Sequence, residues 1–369
     1  MSIVEILAEV PDPRRCNASH ALADILFVAL AAMLCGATSC TEMAFFAEGR
    51  LELLRQFVPL EGGAPSHDTF SRVFRGLDPE ALAAAFGRVM VAFGETARRT
   101  AAQVAIDGKS LRRAYEKGRS HMPPLVVTVF ECETFMSLRQ AVSAAGGEAE
   151  AAIEALRLLD LSGRIVSGDA LHCHKRLCQT VIDRGGDYVL TIKGNQSNLA
   201  KEANAALDTA LDAALALPST AIAQTYDDGH GREEVRTCAV VPFRQTLGKN
   251  ALPGLVAVAR IVSQRTVGAV TTIKVRAYAL SCWMTAEEVL DAVRRHWEIE
   301  NNLHWQLDVL LKEDQSRSRK DYAAKNLAVI RRLALNTLRA DPRKIPLSHK
   351  QHKARWSDSE LLTLMTHMR

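Results

Sequence analysis

His296-Trp297-Glu298-Ile299-Glu300-Asn301-Asn302-Leu303-His304-Trp305 carries a carboxylate where a helix should be apolar. Val289, Leu290, Val293, Trp297 and Leu307 recur at helical spacing, and Glu300 falls on their stripe. A carboxylate on a core-facing stripe costs on the order of several kcal/mol unless it is paired or binds a metal. Two partners are available upstream. Asp107 and Asp169 each end a short apolar run that reads as a buried strand. Three acidic residues, from two strands and one helix, can form a divalent-metal site. The quoted stretch therefore predicts an α/β fold in which a long helix, Ala286 to Leu311, packs on a sheet.

The bulk composition sets limits on that reading. The chain has 369 residues, 48% hydrophobic and 24% charged, enough for two or three soluble domains with a sizeable core. The longest apolar run, Ile25 to Cys35, is too short to span a bilayer. No basic-then-apolar signal segment opens the sequence, so a cytoplasmic protein with no membrane partner is expected. Eight cysteines without CxxC spacing argue against a disulfide framework or a zinc ribbon. His172-Cys173-His174 is the nearest approach to a soft metal site, but three consecutive residues converge poorly on one ion.

Charge is unevenly distributed. Gln315 to Arg355 holds twelve Lys or Arg against two acidic residues, a local +10 in a chain of net +4, leaving −6 for the rest. A basic block on a slightly acidic body points to a polyanion such as nucleic acid, or to a solvated helix face.

Along the chain, residues 1–95 read as an N-terminal helical domain. Its helices are His20 to Cys35, Thr41 to Phe57, Asp68 to Arg75 and Ala81 to Thr100, the last opened by Asp78-Pro79-Glu80. Strands then alternate with helices over 96–199: Val104 to Ile106, Leu125 to Phe130, Phe135 to Val142, Arg164 to Ser167 and Tyr188 to Ile192, with helices at Ala149 to Leu161 and Leu171 to Arg184. This pattern calls for a mixed α/β sheet. Residues 200–270 read as an insertion: an Ala-rich helix, Ala200 to Leu217, the turn Asp227 to Arg232, and strands Glu233 to Val241 and Leu255 to Gln264. A third strand, Thr271 to Ser281, returns to the core near Lys274 to Leu280. Residues 271–340 complete the core with the Glu300 helix and Tyr322 to Leu338, and 341–369 form a basic tail.

Asp107 and Asp169 stand at C-terminal strand ends, where open α/β sheets place their sites. Hard oxygen ligands without a His or Cys set favour Mg²⁺ or Mn²⁺, and two such ions can clamp an in-line phosphoryl displacement. A single strand-end Asp is more often a turn former or helix cap; two together with a core-facing Glu argue for the site. Lys109, Arg112, Arg113, Lys117 and Arg119 follow the first Asp, and Lys193 follows a later strand. These cations, with Arg232 and Arg236 on the insertion and Arg317, Arg319 and Lys320 in the basic block, are candidates for a phosphate backbone.

These motifs together resemble the DDE transposases of the ISAs1 insertion-sequence family, related to the H-repeat-associated proteins and the wider IS4-like group. The residues that carry the resemblance are Pro65-Ser66-His67-Asp68-Thr69-Phe70-Ser71-Arg72-Val73-Phe74, Ile106-Asp107-Gly108-Lys109 and Asp169-Ala170-Leu171-His172. They continue through Lys193-Gly194-Asn195-Gln196, Gly229-His230-Gly231-Arg232, the HW-x-IEN-x-LHW block, Lys325-Asn326-Leu327-Ala328 and Leu335-Asn336. The resemblance covers nearly the whole length. It implies an RNase H-like core interrupted by an insertion between the second Asp and the Glu. It also implies Asp107, Asp169 and Glu300 as catalytic metal ligands for two Mg²⁺ (or Mn²⁺) ions. The implied activity is cleavage at transposon ends and strand transfer into target DNA, by a homodimer on double-stranded DNA.

The IS4-type signature places Tyr, Arg, Glu and Lys along this helix, where this chain has Val293, His296, Glu300 and Leu307. Either His296 and His304, one turn either side of Glu300, replace those contacts with Asn301 beside them, or they pack. Glu298 points to the opposite helix face. Two other readings share the core: a DNA-binding descendant that has lost its chemistry, and a host nuclease without strand transfer.

Overall fold

The computed structural model describes residues 2–14, 18–97, 102–114, 123–143, 147–212, 218, 221–229, 231–245 and 251–366. Lys117, Arg119 and His230 lie outside them. The chain divides into two compact units, each assembled from more than one stretch of sequence. One comprises Met1–Thr100, Gly108–Ala151 and Glu300–Arg369; the other comprises Ala101–Asp107 and Ala152–Ile299. The sequence segments, by contrast, were consecutive.

The first unit opens with helices α1 (Ile3–Ala8), α2 (Leu22–Leu34), α3 (Cys40–Gly49), α4 (Leu51–Leu54), α5 (His67–Gly76) and α6 (Pro79–Ala97). Each start has a local cause. The Ser2 hydroxyl and Glu5 carboxylate form a capping box on α1, Ser39 caps α3 and Ser66 caps α5. The expected helix Thr41 to Phe57 is broken at Arg50, whose guanidinium donates to the carbonyls of Ala354 and Arg355. Every residue of α2 is buried, so its apolar run is the centre of a helical core.

That core is shared with the other end of the chain. Helix α12 (Ala323–Ala340) contributes Leu327, Ile330, Leu333 and Leu338, while α13 (Leu347–Trp356) and α14 (Asp358–Thr366) contribute Ala354, Leu361, Leu364 and Met365. The basic tail expected at 341–369 is therefore helical through Thr366, because apolar positions in it have a core to join. Part of the +10 block is internal. Arg331 and Arg332 are fully buried, and the Lys350 ammonium is buried, donating to the carbonyls of Leu338 and Asp341. Arg343 is paired with Asp341 and Glu360. These members of the basic block hold helices together, while Arg317, Lys320, Lys344, Lys353 and Arg355 are exposed.

Strands β1 (Gln103–Ser110), β2 (Leu125–Glu131), β3 (Ser137–Ser143), β4 (Ile165–Gly168), β5 (Asp187–Ile192), β6 (Ile222–Gly229), β7 (Arg232–Pro242), β8 (Ala257–Val267) and β9 (Val270–Leu280) form one mixed sheet. Their order is β3-β2-β1-β4-β5-β9-β8-β7-β6. β1, β4 and β5 are parallel; β2 and β3 pair antiparallel. This is an RNase H-like arrangement extended on one edge. Helices α7 (Glu148–Arg157) and α8 (Lys175–Asp183) supply the crossovers on either side of β4.

In the second unit, α9 (Ser197–Asp212) precedes the β6–β9 meander. Only Ala277–Leu280 of β9 pair with β5, while the whole of β9 pairs with β8. The turn at Asp227 to Arg232 is thus the hairpin of β6 with β7, not a turn ahead of a first strand. α10 (Ala286–His296), opened by a Thr285–Glu288 capping box, packs Val289, Leu290 and Ala292 on Cys238, Ile261 and Tyr278 of that sheet. Among the described residues no helix is long and apolar enough to cross a membrane.

Candidate active site

Asp107 lies within β1, whose ladder runs on to Ser110, and does not end the strand. The parallel register pairs Val104 with Val166 and Ile106 with Gly168. Asp107 directly follows Ile106 in β1, and Asp169 directly follows Gly168, just past the end of β4. Gly168 lets this corner pack closely, since a Cβ there would come 3.0 Å from Leu190 and 3.1 Å from His172. The Asp169 side chain is half exposed, and its Oδ1 accepts the Leu171 N–H at 2.9 Å, fixing the carboxylate in a turn.

Two histidines close around Asp169. His172 is fully buried with Nε2 4.0 Å from Asp169 Oδ1. His296, at the C-terminal end of α10, places Nδ1 3.2 Å from Ser167 Oγ. Burial pushes each imidazole down to about 4, against the opposing pull of Asp169, so both rings are neutral at neutral pH. Cys173 is buried, its thiol pushed up to about 12 by that burial, and His174 caps α8. The three consecutive residues thus sit in three different surroundings. Among the described residues, no three His, Cys, Asp or Glu side chains converge closely enough to hold a metal ion.

The link between β1, β4 and α10 is a side chain that sequence reasoning missed. The buried Gln103 amide donates to Ser167 Oγ at 2.9 Å and to the Ala292 carbonyl at 2.8 Å. Ser167 in turn donates to the Val104 carbonyl at 3.3 Å. A polar residue opening an apolar strand was the only available signal. Gln103→Leu is expected to lower stability by about 1–3 kcal/mol, the cost of leaving buried partners unsatisfied. Urea denaturation reads this directly; an unchanged midpoint would show that the amide does not hold α10 on the sheet. The Lys193-Gly194-Asn195-Gln196 motif also gains a role: Asn195 donates to the Ala170 carbonyl at 2.6 Å and Gln196 to that of Cys173 at 3.1 Å. It thereby fastens the loop after Asp169.

Glu300 corrects the opening expectation. The single helix Ala286 to Leu311 is interrupted: α10 ends at His296, a π-helical turn spans Ile299–His304, and α11 (Trp305–Val309) follows. Beyond the break the buried residues are Ile299, Leu303 and Leu307, while Trp297 and Trp305 are 40% and 56% exposed. Glu300 is an exposed residue one position off the buried stripe. Its carboxyl is nonetheless partly shielded, and burial raises it above the ordinary carboxylate range. A π-turn widens the helix by one residue per turn and often marks a functional site. Arg339 of α12 secures it, donating to the carbonyls of Asn302 and Phe135 with its guanidinium over the Phe130 ring. Burial pushes that guanidinium down to about 9. Asn301 is exposed, and His304 and Glu298 are half-buried.

The candidate DNA-binding cations separate. Lys109 is buried, its ammonium 2.8 Å from Asp308 and 3.4 Å from Asp314, so it is a structural ion pair and not an exposed phosphate contact. Arg112 is exposed and 3.5 Å from Asp314. Arg113, Lys193, Arg232, Arg317 and Lys320 are exposed. Arg319 is half-buried and donates to the Arg113 carbonyl.

A mixed sheet whose central strands β1, β4 and β5 run parallel is the plan of an RNase H-like fold. The family comparison agrees. The Transposase DDE domain matches residues 99–337, and the DDE_Tnp_1-associated domain matches residues 4–90. The chain belongs to the DDE transposase family, whose activity is polynucleotidyl transfer and DNA cleavage supported by divalent metal ions.

Among its relatives, the H repeat-associated putative transposase YhhI of Escherichia coli strain K12 is 31% identical over 98% of this chain and 97% of its own length. An uncharacterised protein in the dhlA 3′ region of Xanthobacter autotrophicus is 38% identical over 62% of this chain and 76% of its own. A piggyBac transposase synaptic complex with hairpin DNA, solved by cryo-EM, aligns over 99% of this chain and 78% of that one at 12% identity and a TM-score of 0.42.

Proposed function

We propose that this transposase is the enzyme of an ISAs1-type insertion sequence, cutting at the ends of its own element and joining the freed 3′-OH to target DNA. Asp107, Asp169 and Glu300 are its catalytic carboxylates. The observation that supports the reading is the β1–β4 register, which pairs Ile106 with Gly168, the residues immediately before the two aspartates. The donor chemistry fits Mg²⁺ or Mn²⁺: these are hard carboxylate oxygens, and the histidines at Asp169 are neutral and add no competing charge. Asp107, Asp169 and Glu300 would hold two such ions. When bound, the ions polarise the scissile phosphate and acidify an attacking water.

The chain's own residues do the rest. The Leu171 N–H fixes the Asp169 carboxylate, and Gln103 and Ser167 hold the helix leading to Glu300. His296 packs beside Asp169 as a neutral positioning group. Arg112, Arg113, Lys193, Arg232, Arg317, Arg319 and Lys320 are proposed to bind backbone phosphates, while His304 and Asn301 support the Glu300 turn. The N-terminal helices are the candidate reader of element ends. Because two ends must meet, a homodimer on DNA is part of the proposal, as is a cytoplasmic, nucleoid-associated location.

The test is an end-labelled duplex carrying the DNA that flanks the gene, incubated with protein and Mg²⁺. A nick at the boundary of a terminal inverted repeat, abolished by EDTA, is expected. A wild type that binds this duplex yet leaves it intact with both Mg²⁺ and Mn²⁺ overturns the catalytic assignment in favour of a DNA-binding descendant.

A further inference from the structure

The β6–β9 meander presents two chemically different faces. Register and two-residue alternation place Arg232 and Arg236 of β7, Arg265 of β8, and Lys274 and Arg276 of β9 on one face. The acidic residues on that face are Asp227 and Glu234. Both are engaged: Glu234 pairs with Arg236 at 3.0 Å, and Asp227 with Arg294 of α10 at 3.1 Å. Arg232, Arg265 and Lys274 are exposed, and among the described residues no carboxylate pairs with them. At its tip this face also exposes Val267 and Val270, while the other face carries exposed Tyr226, Ile273 and Val275. Its arginine, Arg260, is held by Asp208 at 2.7 Å.

The cationic face is continuous with the aspartate corner inside the same unit. Its proximal residues Cys238, Ile261 and Tyr278 pack under α10. The Arg276 guanidinium then lies 5.6 Å from the centre of the exposed Trp297 ring. Trp297 stands edge-on to His296 at 6.1 Å, and His296 reaches Ser167 and feels the charge of Asp169. From Val270 to Arg276 the face extends about 20 Å at the usual strand rise, and duplex DNA places one negative charge per roughly 1.7 Å of axis. Several phosphates can therefore be engaged along it at once.

We propose that this face, led by Arg232, Arg265, Lys274 and Arg276, is a docking ledge for the backbone of double-stranded DNA, delivering the duplex past Trp297 to Asp169. The ledge supplies affinity without sequence preference, since its contacts are guanidinium and ammonium groups on phosphates. It deepens the catalytic reading above and rests on it for the identity of the polyanion.

The experiment measures binding of a fluorescent duplex of arbitrary sequence as a function of salt. The triple variant Arg232→Ala/Arg265→Ala/Lys274→Ala removes three exposed side chains and leaves the β-ladder intact. The slope of log K against log salt is expected to become shallower by about 2–3, at about 0.9 per lost phosphate contact. Lys201→Ala/Arg157→Ala/Lys344→Ala, which removes three exposed cations elsewhere, should retain the wild-type slope. Equal slopes for the ledge variant and the wild type overturn the ledge, as does a shift to self-association with no change in DNA affinity. A shallower slope in a protein whose wild type never cuts sustains the ledge and removes only the catalytic reading.

Discussion

Asp107→Asn is expected to reduce metal-dependent cleavage of an element end by about a thousandfold or more, the scale of a single preorganised electrostatic group. That factor corresponds to about 4 kcal/mol of transition-state stabilisation. Asp169→Asn should match it, because the proposed site needs both carboxylates, and each directly follows one of the register partners Ile106 and Gly168. The amides keep shape and remove charge, so duplex binding and the unfolding midpoint should stay close to wild type. Glu300→Gln should fail equally, while Glu298→Gln, two residues earlier, should cut at near the wild-type rate. Those four variants in one cleavage assay distinguish the carboxylates. If Glu300→Gln cuts normally and Glu298→Gln does not, the third ligand has been misassigned. If Asp107→Asn cuts normally, the whole constellation is wrong.

The largest effect on stability should come from Glu313→Leu. Glu313 Oε1 lies 3.1 Å from Arg332 Nη1, and neither side chain is exposed to solvent. Arg332 also donates to Thr128 Oγ1 at 3.2 Å and to the Ala328 carbonyl at 3.1 Å. Its neighbour Arg331 is equally buried, and Glu313 is the charge that favours keeping it protonated against burial. Removing the carboxylate leaves two buried guanidinium groups uncompensated, and breaking one such pair costs about 3–5 kcal/mol. Against a typical total of roughly 5–15 kcal/mol, that is a large share. Glu313→Leu/Arg332→Met should recover part of the loss and not all of it, since Arg331 keeps its charge. Equilibrium urea unfolding of the three proteins measures this, and a single variant as stable as wild type would refute the pairing argument.

The same pair shows why the charges of the basic block are not all partner contacts. Whether an arginine faces solvent or a core depends on groups far away in sequence. Arg332 meets Thr128 across 204 positions, and Lys350 donates into the end of α12. Composition records the charges and not their partners. The strand β6 escaped for a related reason: Ile222–Gly229 has no fully buried residue and lacks the apolar alternation that marks a half-buried strand. Lys109 looked like a phosphate contact because Asp308 and Asp314, its partners, lie some 200 residues downstream.

Glu300 shows where periodicity itself gives out. The upstream stripe of Val289 and Leu290 is correct, but extending it by 3.6 residues per turn assumes an unbroken helix. The break after His296 and the π-turn Ile299–His304 shift the phase. Ile299, Leu303 and Leu307 then become the buried positions, and Trp297 and Trp305 turn outward. The apparent energetic anomaly that singled out Glu300 is therefore resolved by geometry. Its place in the HW-x-IEN-x-LHW block, together with the partial shielding that raises its carboxyl, is what still marks it.

By itself the sequence determined the mixed α/β sheet, the helical N-terminal region and the transposase family. Buried parallel strands are short apolar runs, and helix starts carry their own caps, so these features are written locally. The tertiary structure alone decided which cations are free and which are internal, where the Glu300 helix breaks, and that helices from both ends of the chain share one core. Each of those depends on contacts between residues far apart in sequence, where burial sets the cost of a charge and only a distant partner can offset it.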